Sequence, residues 1–412
     1  MNYGCIGKTL KHSFSKEIHE ALASYSYDLV ELAPEEIDAF MKNHAFRAIN
    51  VTIPYKQTVL PYLDEISPQA KEIGAVNTIV CKGNKLYGYN TDFFGLRALI
   101  LRLKCSLLGK KVLILGSGGT ARTARAVAKD LGAQEILTVS RGGRDGISYE
   151  EALLHHRNAA FIINTTPCGM YPDIDASPLD LSAFESLEGV VDAVYNPLRT
   201  RLIQQAQALG IPAQGGLYML VAQAAYAVEL FLDCKIHKKR IEAVFQSLLS
   251  QKENIILTGM PGSGKSTVGK QLSKKLCKPF LDTDQLILEE EGQSPAQLIC
   301  SLGEEAFRDI ESRISEERVA PLTGAMIATG GGAVLRRKNI DALKKNGKIF
   351  FLDRPLEQLS ATADRPLSSD REKLKARFDE RYDRYCETAD IHIKNNTSAK
   401  VCAEKIMKVL KK

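Results

Sequence analysis

The sequence predicts an α/β protein of parallel sheets with crossover helices, divided into more than one unit. Strand-like apolar runs alternate with amphipathic helical stretches along the whole chain. Two glycine-rich segments, at 116–121 and 259–266, each lie between such a run and a helix. The chain's 412 residues exceed the roughly 100–200 that one core organises, so two or three units are expected.

Composition excludes several classes. With 44% hydrophobic and 25% charged residues and no low-complexity tract, the chain reads as folded rather than disordered. No apolar run reaches the roughly 18 residues of a membrane helix, and Met1–Gly7 enters structured-looking sequence with no charged, apolar leader. Neither membrane nor secretion is expected, and the location reads as cytoplasmic. The net charge of +6 is too dispersed for a nucleic-acid footprint and suits small anionic substrates equally well. Nine cysteines, odd in number and without a C-x-x-C pair, fit free thiols in a reducing compartment. His155 and His156 have no Cys or carboxylate at ligand spacing and read as a solvated helix end.

The main boundary is expected at the polar stretch Ser250–Glu253, after a long helical segment from Tyr218 to Leu249 and before the strand Asn254–Thr258. A second division falls near 105, before the strand Val112–Leu115. The expected domains are 1–104 completed by helices in 215–250, then 105–214, then 251–412.

Gly116-Ser117-Gly118-Gly119-Thr120-Ala121 matches G-x-G-x-x-A. One of these glycines turns the chain, another lets backbone approach a pyrophosphate, and Ala121 permits close packing. A plain glycine-rich turn is the alternative. The next strand, Glu135–Val139, ends in Ser140-Arg141, where an NAD site would hold an acid for the ribose. Arg141, with Arg144 behind it, could instead neutralise a 2′-phosphate, which favours NADP; two solvated loop arginines are the alternative. Earlier stand His12–Ser15, Asn50–Lys56, Gly74–Thr78 and Asn90–Asp92, all hydroxyl, amide and ionic groups at segment ends. Such groups suit a polyhydroxylated substrate. Singly they read as caps: Asp92, Ser13 and Ser15 each precede helical sequence.

Collectively these motifs resemble shikimate dehydrogenase over essentially the whole of residues 1–250. The resemblance includes Asn164-Thr165-Thr166-Pro167, Asp192–Pro197 and Gly215–Ala224. It implies an α/β substrate domain followed by a Rossmann NADP domain, with Lys56 and Asp92 as the catalytic pair. Ser13, Ser15, Thr52, Asn77 and Gln223 would hold the substrate carboxylate and hydroxyls, and Tyr195 would border substrate and nicotinamide. Lys16 departs from the family, which commonly has Pro there; Phe93 and Phe94 are tolerable departures. Ketone reduction agrees chemically, since a Lys beside an Asp can supply the proton that accompanies hydride.

Gly259-Met260-Pro261-Gly262-Ser263-Gly264-Lys265-Ser266 matches G-x-x-x-x-G-K-[ST] between a strand and a helix. Backbone N–H groups there cradle phosphates, Lys265 meets the transferred group and Ser266 ligates magnesium. Phe280-Leu281-Asp282-Thr283-Asp284 is expected to put two carboxylates on one face of a strand end. Arg308 and Glu311 share a helix face, so Glu311 can orient the guanidinium; an exposed salt bridge is the alternative. Gly330-Gly331-Gly332 would let backbone donors approach a ligand.

This half resembles shikimate kinase over residues 254–412, a P-loop α/β/α domain with a parallel sheet. The resemblance places Gly259, Gly262, Gly264, Lys265, Ser266 and Thr267 around ATP, with Ser266 and Asp282 at magnesium. Asp284 takes substrate hydroxyls and base duty, Arg308 with Glu311, Gly330, Gly331 and Gly332 the substrate carboxylate, Arg381 the second carboxylate contact, and Arg365 the lid. The stretch before Arg365 is short, and Tyr382-Asp383-Arg384 stands where Asn-Pro-Leu is usual. Together the resemblances imply a fusion that reduces 3-dehydroshikimate with NADPH and phosphorylates shikimate with ATP and Mg2+. A monomer or homodimer with no nucleic-acid or membrane partner is expected. Rival readings are a quinate or aminated-analogue dehydrogenase beside a related kinase, and a nucleotide-sensing scaffold with one silent half.

Overall fold

The computed structural model describes residues 1–10, 14–142, 146–359 and 371–410. The chain divides into two units between Leu249 and Ser250. Strands of the first unit are β1 (Tyr3–Gly7), β2 (Asp28–Glu31), β3 (Ala48–Val51), β4 (Glu65–Ile66), β5 (Thr78–Lys82) and β6 (Lys85–Tyr89), followed by β7 (Lys111–Leu115), β8 (Glu135–Val139), β9 (Phe161–Asn164), β10 (Gly189–Asp192) and β11 (Ala213–Gln214).

The first six form one sheet in the order β2-β1-β3-β5-β6-β4. This corrects the expectation of parallel sheets throughout, because β5 runs antiparallel to both β3 and β6. The cause is local. Gly83 and Asn84 have φ of +56° and +65°, so a two-residue hairpin turns the chain straight back. The other five strands form a wholly parallel sheet in the order β11-β10-β9-β7-β8. Its order reverses between β7 and β9, and a crevice outside their carboxyl ends is where such sheets bind ligands.

One apolar cluster joins the two layers: Leu96, Leu99 and Ile100 of the helix Thr91–Arg102 pack with Val112, Ile114, Ala124 and Val127. That helix also packs extensively on the helix Leu217–Leu232, which is apolar almost all round and correspondingly buried. The single helical segment expected from Tyr218 to Leu249 is two helices, Leu217–Leu232 and Lys238–Lys252. Asp233 separates them in the left-handed conformation, with φ of +49°, which a short polar side chain tolerates. Ser250, Gln251 and Lys252 form the last turn of the second of these helices.

The second unit holds β12 (Asn254–Thr258), β13 (Phe280–Asp282), β14 (Met326–Ala328), β15 (Gly347–Asp353) and β16 (Ile391–Lys394), all parallel in the order β13-β14-β12-β15-β16. Alternate residues feed two cores. Ile255 and Leu257 pack with Val268, Leu272, Cys402 and Ile406 on one face, and Ile256 with Phe307, Ile314, Leu343 and Tyr385 on the other. Among the described residues no helix is long and apolar enough to cross a membrane, and no group of His, Cys, Asp and Glu gathers to hold a metal ion.

Candidate active sites

In the first unit a cavity of about 310 Å3 is lined by Cys5, Ser15, Asn50, Thr52, Lys56, Asn77, Asp92, Tyr195 and Gln223, among others. Lys56 and Gln223, 167 positions apart in sequence, thus meet because β1 and β3 end and β5 begins at one edge beside the helices Thr91–Arg102 and Leu217–Leu232. Lys56 Nζ donates to Asp92 Oδ2 at 2.5 Å, and both side chains are mostly buried. The cap reading of Asp92 is corrected. Asn90 is the N-cap, accepting from Phe93 N at 3.3 Å, which leaves the Asp92 carboxylate on the helix's first turn for Lys56. Ser15 is likewise the first residue of its helix, whose N-cap position is Phe14. Ser13 lies outside the described residues.

The cavity's amides and hydroxyls are already bonded to one another. Asn77 Oδ1 accepts from Thr91 N at 2.7 Å, and Thr91 Oγ1 donates to Gln223 Oε1 at 3.2 Å. Asn50 Nδ2 donates to Thr78 Oγ1 at 3.0 Å and its Oδ1 accepts from Tyr27 OH at 2.7 Å. His19 stacks on Tyr27 with ring centroids 4.0 Å apart, and full burial pulls its pKa down to about 3. Burial also pushes the Tyr195 phenol up.

At the crevice of the parallel sheet, Gly116 has φ of +105°, and a Cβ there would lie 2.8 Å from Thr165 Oγ1. The backbone is therefore open to a close ligand only because no side chain fills the corner. Gly118 caps the helix Gly119–Asp130, Gly119 opens it, and Ala121 is buried beneath it. Arg141 is exposed just after β8; Arg144 lies outside the described residues. Beside the crevice, Asp192 is fully buried, accepts from Asn164 Nδ2 at 2.9 Å and Thr200 Oγ1 at 2.6 Å, and has its pKa raised by burial to about 6.

The second unit encloses about 710 Å3, lined by Gly262, Gly264, Lys265, Ser266, Thr267, Asp282, Asp284, Arg308, Glu311, Gly330, Gly331, Gly332 and Arg381, among others. Lys265 Nζ donates to the Gly259 carbonyl at 2.8 Å, folded back over its own loop. Ser266 Oγ donates to Asp282 Oδ2 at 2.7 Å, which puts two oxygen ligands of the kind magnesium prefers side by side. The two carboxylates of the D-T-D do not share a strand face as expected. β13 ends at Asp282, which caps the next helix by accepting from Asp284 N at 3.1 Å, so Asp284 sits on a helical turn.

The exposed salt-bridge alternative for Arg308 and Glu311 is also overturned. Their side chains are 6% and 2% exposed, with Arg308 Nη1 donating to Glu311 Oε2 at 2.7 Å. Burial opposes the Arg308 charge, but Glu311 and Glu304 more than offset it and hold its pKa above the ordinary value. Arg381 is equally buried, and burial, with Arg308 and Arg377 nearby, holds its pKa below the ordinary value. Arg308 Nε and Arg381 Nε and Nη2 have no hydrogen-bond partner among the described residues. Gly331 O accepts from Arg381 Nη1 at 3.3 Å and from Tyr385 OH. A Cβ on Gly332 would lie 2.1 Å from Arg308 Nη1, and one on Gly330 would lie 2.8 Å from Asp284 Oδ1. Arg365 lies outside the described residues.

The model of the shikimate dehydrogenase substrate binding domain matches residues 5–79, and that of shikimate kinase matches residues 261–411. A shikimate dehydrogenase (NADP(+)) from Clostridium perfringens is 37% identical over 266 residues, covering 60% of this chain and 97% of the relative. The chain belongs to the shikimate dehydrogenase family. Among solved structures, shikimate dehydrogenase 1 from Peptoclostridium difficile is 35% identical with a TM-score of 0.55, covering 60% of this chain and 98% of that one. A chorismate mutase/shikimate 5-dehydrogenase fusion from Clostridium acetobutylicum is 35% identical with a TM-score of 0.56, covering 60% and 96%. The chain thus fuses a shikimate dehydrogenase unit to a shikimate kinase domain.

Sequence reasoning missed four residues of these sites. In the dehydrogenase cavity, Asn50 and Thr91 were named only within their motifs, and both are buried hubs of the amide network. In the kinase cavity, Tyr385 holds the Gly331 carbonyl, and Glu304 lies within 3.1 Å of Arg308 Nη2. A Glu one turn before the Arg was the available signal for Glu304.

Proposed function

We propose that the first unit reduces 3-dehydroshikimate to shikimate with NADPH and that the second phosphorylates shikimate to shikimate 3-phosphate with ATP and magnesium. The observation that carries the reading is that two separate cavities, each with its own reacting groups, both suit one polyhydroxylated acid.

In the dehydrogenase cavity Lys56 Nζ gives its proton to the substrate's carbonyl oxygen, and Asp92, at 2.5 Å, holds the ammonium in place. NADPH, when bound, supplies the hydride. Ser13, Ser15, Thr52, Asn77 and Gln223 hold hydroxyls and carboxylate, and Tyr195 closes the side toward the crevice. The bare corner at Gly116 fits a pyrophosphate, with Gly118, Gly119 and Ala121 beneath it and Arg141 and Arg144 toward the 2′-phosphate.

In the kinase cavity Asp284 accepts the proton of the attacking hydroxyl, Arg308 and Arg381 hold the carboxylate, and Arg365 covers the transferred group. ATP supplies the phosphoryl group; Ser266 and Asp282 would hold magnesium, which when bound would supply charge neutralisation on the phosphates. The leftover guanidinium donors are what an anionic ligand would satisfy. The reading extends to a cytoplasmic enzyme, monomer or homodimer, with the units joined as a plain tether and domains at 1–104 with 215–250, 105–214 and 251–412. NADPH oxidation with 3-dehydroshikimate and ADP release with shikimate, followed separately on the full chain, test it; the absence of either activity refutes the corresponding half.

A further inference from the structure

We propose that Glu304 is the positioning residue of the kinase cavity, the group that holds Arg308 and Arg381 side by side for the substrate acid. The proposal rests on the reading of that cavity as a shikimate site.

The geometry converges on one carboxylate. Its Oε1 lies 3.1 Å from Arg308 Nη2 and 3.6 Å from Arg381 Nη2, so the two arginines approach the same oxygen. Its Oε2 accepts from Arg377 Nη2 at 2.9 Å, which fixes the carboxylate from the other side. Arg308 and Arg381 come from different helices, Glu304–Ile314 and Arg371–Thr388, and only 6% and 3% of their side chains are exposed. Two buried like charges repel strongly where water is scarce. Among the described residues the Glu311 carboxylate bonds Arg308 but not Arg381, and Glu380 is nearly half exposed and reaches Arg381 at 3.4 Å. Glu304 is the carboxylate that touches both. Without its charge the pair would separate, and the gap between them would no longer match the two oxygens of one acid.

Simple Coulomb reasoning predicts the opposite, which makes the test sharp. Removing a negative charge beside an acid-binding site should tighten acid binding; removing a positioning group should loosen it. Glu304→Gln keeps the shape and removes the charge. In the full chain it should raise the KM for shikimate about tenfold, as for loss of one partner in a close charge network. The KM for ATP and the dehydrogenase activity should stay within about twofold of wild type, as expected for groups outside the network. With shikimate amide as substrate, which lacks the carboxylate charge, the same substitution should change KM little. Glu304→Asp, charged but retracted by one methylene, should fall between, and it carries the comparison if the Gln variant does not fold. An unchanged or lowered KM for shikimate overturns the proposal, as does an equal rise for the amide. Wild-type protein that phosphorylates no shikimate refutes the reading of the cavity instead.

Discussion

The dehydrogenase cavity is walled by amides and hydroxyls already bonded to one another, whereas the kinase cavity holds two buried guanidinium groups with donor atoms left over. The first has its buried amides bonded within the fold, and a ligand that uses them must exchange for bonds already present. The second leaves charge waiting. The two cavities are thus built by different physical means, one mainly of neutral hydrogen-bonded groups around the Lys56–Asp92 pair, the other of desolvated charge.

The comparison breaks most sharply at the reacting groups. Lys56→Ala should lower the rate of 3-dehydroshikimate reduction about 10^2- to 10^4-fold, as for loss of an acid catalyst, and leave phosphorylation of added shikimate intact. Asp284→Asn should do the converse, removing kinase turnover while ATP still binds at Lys265 and the loop amides. Steady-state assays of both activities on each variant suffice, and a parallel loss of both would end the two-site account.

Next in size is the cost of disturbing the walls. Arg308→Met leaves Glu311 buried without its partner and should destabilise the second unit by about 3–5 kcal/mol. Gln223→Leu removes two neutral bonds, to Thr91 and to the Leu220 carbonyl, from a network in which Thr91 keeps Asn77, and should cost the first unit about 1–2 kcal/mol. Denaturant titration of the full chain would separate the two transitions; equal costs would erase the distinction between charged and neutral walls. Arg141→Ala should raise the KM for NADPH roughly ten- to hundredfold, as for loss of a charge-assisted bond, and that for NADH little. An unchanged preference would move the 2′-phosphate contact elsewhere.

The last comparison is a pH slope in the first unit. The folded pKa of His19, about 3, lies below its unfolded value of 6.5, so the folded state binds fewer protons between the two. Its contribution to stability is full above the unfolded pKa and is lost as pH falls toward the folded one. Asp192, raised from 3.8 to about 6, acts in the opposite sense, its contribution fading as pH rises through 6. The two largely cancel between pH 4 and 6. His19→Phe should expose the imbalance: its stability relative to wild type should improve by about 1.4 kcal/mol for each pH unit lowered in that window. A pH-independent difference would show that His19 is charged where it lies.

The two glycine-rich loops, their flanking strands and the side chains that gather at each cavity, Lys56 with Asp92 and Lys265 with Asp282, were legible because each belongs to a short motif. The mixed first sheet was not, since the Gly83-Asn84 hairpin is a two-residue signal inside an otherwise continuous apolar alternation. The D-T-D was read with a strand's period although a helix begins at Thr283, a boundary that the cap at Asp282 decides. Thr91 and Gln223 stand 132 positions apart, and nothing local foretells that they share a hydrogen bond. Glu304 became significant only once the fold brought Arg381 within 3.6 Å of it.

The triple glycine bears on how this enzyme could escape an inhibitor. At Gly330 the space for a side chain is taken by Asp284 and Glu311, at Gly331 by Pro261 and at Gly332 by the Arg308 guanidinium. Any replacement there drives a methyl group into a residue of the same cavity. A compound lying along that wall and drawing its affinity from the three backbone units would meet a surface where each substitution must displace Asp284, Glu311, Pro261 or Arg308, so escape there would disturb the cavity itself.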